Sequence, residues 1–75
     1  MREKPISDLA LAAFLSTVGY RFHSLKPSGN KVTFIFEYSE KIEKDIFLFY
    51  NHSASADPLA FAENMRNLKA LALRN

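Results

Sequence analysis

The side chains best able to hold a metal are His23 and His52, the two histidines of the chain. They fall in different predicted elements, without the close local spacing of a zinc site, and the chain has no cysteine to add a thiolate. Any ligand set would need carboxylate help, for instance from Glu37 or Asp57. The sequence therefore predicts no metal and no cofactor, and the two residues read as an exposed strand histidine and a loop histidine. The serines fare no better as nucleophiles. Ser7 and Ser39 precede helices, Ser28 sits in a turn, and Ser53 and Ser55 lie in a loop. Ser24 falls on a strand and Ser16 at a helix end, and none occupies a nucleophile-elbow pattern. Glu37, Glu40, Glu43 and Asp45 crowd together in sequence. Paired-carboxylate catalysis needs a cleft, which a domain of 75 residues rarely encloses, so these read as solvated charge. With only Gly19 and Gly29 there is no glycine-rich phosphate loop. The expectation is a protein that is not an enzyme.

Two binding chemistries remain. Arg21, Lys26 and Lys31 cluster on and around a predicted hairpin, with His23 and Thr33 between them, and could contact nucleic-acid phosphates. A net charge of +2 does not by itself call for nucleic acid. The aromatic strand Lys31–Tyr38 would stack on bases only if its phenylalanines faced solvent, and here they share the face expected to be buried. The second chemistry is protein interaction. Phe47 and Leu48 widen the apolar surface of the second predicted helix beyond one stripe, which leaves either a heavily buried helix or one that offers apolar surface to another subunit. Exposed strand edges add an incentive for homodimerisation. The expected partner is thus a second copy or another protein, with nucleic acid as the alternative.

These residues must be positioned by short elements. Residues 1–6, with Pro5, are expected to fray. Ser7 is the predicted N-cap of a helix over Asp8–Val18, in which Leu11, Phe14, Leu15 and Val18 recur at helical spacing and Gly19 ends the run. Tyr20–Lys26 reads as a strand with Tyr20, Phe22 and Ser24 on one side and Arg21, His23 and Leu25 on the other. Pro27-Ser28-Gly29-Asn30 forms the turn. Along Lys31–Tyr38, Val32, Phe34, Phe36 and Tyr38 alternate with Lys31, Thr33, Ile35 and Glu37. The first set is apolar and is assigned to the core; the second is assigned to water or a partner. Ser39 caps a helix over Glu40–Tyr50, and Asp57-Pro58 opens a third whose inner stripe is Phe61, Met65, Leu68 and Ala72.

The helix ending in Gly19-Tyr20-Arg21, the hairpin segment Val32–Glu37, the helix closing on Tyr50-Asn51 and the run Phe61–Lys69 together resemble a family of small bacterial domains catalogued only as a domain of unknown function. The resemblance covers Leu9 to Leu71, and Phe49-Tyr50 stands where a Tyr-Trp type pair is expected. Its motifs are packing positions, so it implies a shared fold and transfers no site residue.

The expected fold is α+β, a single small domain over residues 1–75: an antiparallel β-hairpin covered on one face by three helices, in the order α-β-β-α-α. At 48% hydrophobic with seven Phe, the chain has enough apolar side chains for one core. The predicted core is Leu11, Phe14, Leu15, Val18, Phe22, Val32, Phe34, Phe36, Ile42, Ile46, Phe49, Phe61, Met65 and Leu68. The absence of cysteine suits a reducing cytoplasm, and no apolar run approaches the length that spans a bilayer.

Overall fold

A computed structural model describes residues 2–74, the side chain of Ser28 excepted. The elements are β1 (Glu3–Ile6), α1 (Leu9–Thr17), β2 (Phe22–Ser28), β3 (Lys31–Glu37), α2 (Glu40–Tyr50) and α3 (Pro58–Arg74). The class is α+β, as expected, but the sheet is more than a hairpin. The segment expected to fray supplies an edge strand, giving an antiparallel order β1-β3-β2 among the described residues. Met1 lies outside the described residues. Ile6 explains the correction, because it pairs with Phe34 and is buried in the core. Lys4, opposite Phe36, faces the same way and forms an ion pair with Glu43 of α2.

The β2–β3 turn is tighter than predicted. Strand pairing runs to Ser28 and Lys31, leaving Gly29 and Asn30 as the two loop residues. Gly29 at φ 61 meets the need for a positive φ at the first loop position. Farther along β2, Phe22 pairs with Phe36 while Ser24 pairs with Ile35, so His23 is an extra, bulged residue. The bulge breaks simple alternation. Leu25, expected outside with Arg21 and His23, lies opposite Phe34 and packs against the core.

Val32, Phe34 and Phe36 are buried, as the strand pattern predicts, and Phe22 meets Phe34 and Phe36 edge to face. Ile35 corrects the expectation for the other face, being only 2% exposed. Lys26 lies opposite Thr33 and Glu3 opposite Glu37, and their side chains meet at 3.9 Å. That bridge crosses the central strand at the level of Ile35, and both of its side chains stay largely in water.

The helices are capped by side chains that answer their free N–H groups. Asp8, rather than Ser7, caps α1 by accepting from the Leu11 N–H. The Ser7 hydroxyl is instead bonded to that of Thr33 on the sheet. Ser39 accepts from Ile42 and Asp57 from Ala60. Leu11 through Leu15 are all buried, so α1 is covered on more than one side: α3 and α2 pack on it, and it shares the core with the sheet. Val18, expected in the core, is the C-cap residue and is 39% exposed. Two tyrosines tie α1 to α2. The Tyr20 hydroxyl donates to Asp45 at 2.6 Å, and the Tyr50 hydroxyl donates to Asp8 at 3.3 Å.

Candidate functional site

The three predicted phosphate contacts start from two ends of the hairpin. Lys26 and Lys31 lie toward the hairpin turn, whereas Arg21 precedes the Phe22–Phe36 pair at the other end. From Thr33 to Glu37 the strand advances on the order of 13 Å. Lys26 is already engaged with Glu3, and Arg21 lines a hollow with Glu37, Tyr20 and Tyr38. All three cations are exposed. Glu3 and Glu37, directly opposed in register, put negative charge on the face that phosphates would have to approach.

The apolar surplus on α2 divides. Leu48 is half-buried, whereas Phe47 is 66% exposed and Tyr50, one turn on, is 56% exposed. Lys44, one turn before Phe47, is exposed too. Lys44, Phe47 and Tyr50 therefore follow one another at i, i+3 and i+6 on a single ridge of the helix. The Asp8 bond holds the Tyr50 ring in position, and its hydroxyl is raised above the ordinary tyrosine pKa, first by burial and then by the Asp8 carboxylate.

Each edge strand of the sheet carries a proline. Tyr38 N–H donates to the Arg2 carbonyl at 2.8 Å, which makes residues 2, 4 and 6 the ones bonded to β3 and turns the nitrogen of Pro5 outward. Alternation along β3 likewise turns Pro27 outward on β2. Each edge thus lacks a donor where an added strand would need one.

A pocket absent from the sequence-based expectations lies at the C-terminal end of α2. Phe14 of α1, Phe49 of α2 and Phe61 of α3 line about 400 Å³ of space together with His52, Pro58 and two loop alanines. Phe14 and Phe49 are in contact, with centroids 5.2 Å apart. His52 reaches this position through an uncommon backbone conformation, φ 58. It follows the C-cap Asn51, and the N–H groups of His52 and Ser53 return to the carbonyls of Phe49 and Leu48 at 3.1 and 2.9 Å. This is the Schellman arrangement, and its left-handed position is usually glycine. The signal in the sequence was the lack of glycine after Asn51, where an amphipathic helix must end.

Among the described residues, no group of three or more histidine, aspartate or glutamate side chains could hold a metal ion, and no helix is long and apolar enough to cross a membrane. No curated protein and no solved structure matches the chain. A family model described as a domain of unknown function, DUF5659, matches residues 1–74, and the chain belongs to that family.

Proposed function

We propose that this chain is a non-enzymatic assembly module of the cytoplasm whose partner is a second copy of itself, joined across α2. The observation that carries the reading is the outward ridge of Lys44, Phe47 and Tyr50, with Phe47 at 66% exposure. A two-fold axis needs a surface that complements itself. In an antiparallel pair of α2 helices with the axis at Phe47, the two Phe47 rings meet and each Lys44 approaches the other copy's Tyr50 ring. The centre gains apolar burial and the flanks gain two cation–π contacts. The prolines on both sheet edges support a helix-mediated pairing over strand addition. The absence of cysteine fits a reducing compartment.

Light scattering over a concentration series tests the reading. The expected mass at high micromolar concentration is twice the 8.6 kDa of the chain. A mass that stays at that of one chain contradicts it. Nucleic-acid binding draws less support, because Arg21 stands apart from Lys26 and Lys31 and Lys26 is paired with Glu3. A salt-sensitive shift on mixing with heterogeneous RNA or DNA would revive it.

A further inference from the structure

We infer that the pocket between α1, α2 and α3 binds a small, neutral, planar aromatic molecule. The pocket shares no lining residue with the Lys44, Phe47 and Tyr50 ridge, so its occupancy is independent of self-association. Each helix contributes one phenylalanine: Phe14 and Phe49 are in contact with each other, whereas Phe61, among the described residues, has no ring partner. A planar ring entering the pocket completes the cluster by lying against Phe61 and the Phe14–Phe49 pair. Aromatic rings prefer such offset or edge-to-face neighbours to an aliphatic filler.

The electrostatics narrow the class further. No lysine, arginine, aspartate or glutamate lines the pocket, so a charged ligand would shed its hydration without a counter-charge. His52 is the one lining side chain with ring nitrogens to accept or donate a hydrogen bond, which selects a ring carrying a single polar group. The volume, about 400 Å³, lies at the small end of ligand pockets.

The backbone supplies a second, separate observation. His52 stands at φ 58, at a helix end where glycine would fit without strain. A residue held in that region is strained, and strain of this kind gathers at binding sites. Here the strained residue is also the pocket's one imidazole.

The test uses indole as the probe, whose ring N–H can donate to the imidazole, and follows the full chain by NMR. Saturable shifts confined to Phe14, Phe49, His52, Phe61 and their neighbours are expected, with cyclohexanol clearly weaker. Phe61→Leu should weaken indole roughly two- to ten-fold, the range of one aromatic contact. His52→Gly should raise the melting temperature yet weaken indole by about five-fold, as expected for one lost hydrogen bond. His52→Asn, which tolerates the left-handed backbone and keeps a polar group, should retain binding. Three results overturn the inference: no saturable shift with indole, cyclohexanol binding as well as indole, or His52→Gly binding unchanged. N-acetyltryptophanamide binding more tightly than indole also overturns it, since the ring would then arrive on a polypeptide.

Discussion

Helices α1 and α2 begin and end alike, yet they are used differently. Each starts on a side chain that caps the N–H three residues on, and each closes with the same pair of hydrogen bonds. In α1 the left-handed position is Gly19, at φ 111, and five consecutive residues are buried. In α2 that position is His52, Ile42 is its one fully buried residue, and Phe47 and Tyr50 face outward. The local rules for building a helix are satisfied in both. Only in α2 are they satisfied by a residue that fits its conformation poorly and by aromatic rings left in water. The difference separates a helix buried along its length from a helix that holds the fold and leaves two aromatic rings exposed.

Substitutions can break or sharpen that contrast. Phe14→Ala should cost about 3–5 kcal/mol in denaturant unfolding, whereas Phe47→Ala should change the stability of the single chain by no more than about 0.5 kcal/mol. Equal losses at the two sites would erase the distinction. The caps come next in size. Gly19→Ala should destabilise by about 1–2 kcal/mol, because a side chain at a positive φ is strained even where there is room for it. His52→Gly should stabilise by about 0.5–1 kcal/mol, the relief of strain exceeding the added freedom of glycine in the unfolded chain. A stabilising Gly19→Ala or a destabilising His52→Gly would reverse the account of the two ends.

A smaller effect depends on pH. The Tyr20 hydroxyl is pushed up from 10.0 to about 12, first by burial and then by its bond to Asp45 and that carboxylate's charge. The folded state favours the neutral phenol. The Tyr20 contribution is therefore complete below pH 10.0 and is lost as pH rises through 10.0 toward about 12. Thermal melts across that range should fall less steeply for Tyr20→Phe than for the wild type, and parallel curves would remove the effect.

Much of this architecture was legible because it rests on local rules. The alternation of Val32, Phe34 and Phe36 was enough to assign a buried face, and Ser39 and Asp57-Pro58 marked two helix starts without any tertiary information. What failed depended on partners distant in sequence. Four residues containing Lys4 and Pro5 look like a loose end until β3 offers them a place to pair. Ser7 reads as the cap by sequence alone, but its hydroxyl is engaged by Thr33. Strict alternation puts Leu25 on the wrong face because one bulged residue inverts the pattern, and a bulge without glycine leaves little trace in sequence.

For the candidate surfaces, the sequence identified Phe47 as apolar surplus but gave no means of separating it from Leu48, since both depend on how α2 is rotated against α1. Arg21, Lys26 and Lys31 looked like one cluster because sequence proximity hides the length of an extended hairpin. The aromatic pocket joins residues from three helices, a convergence that periodicity does not encode. His52 alone could have been singled out, as the residue standing where a helix end asks for glycine.

The most direct test of the central claim compares three apolar residues that are all exposed. Phe47, Leu59 and Leu73 are 66%, 80% and 79% exposed, so turning any one of them into glutamate disturbs little of the single chain's core. Sedimentation equilibrium of Phe47→Glu, Leu59→Glu and Leu73→Glu, each beside the wild type, would separate a specific α2 contact from general stickiness. On this account Phe47→Glu sediments as one chain while both leucine variants pair like the wild type. Pairing by Phe47→Glu as tight as that of the wild type would contradict it.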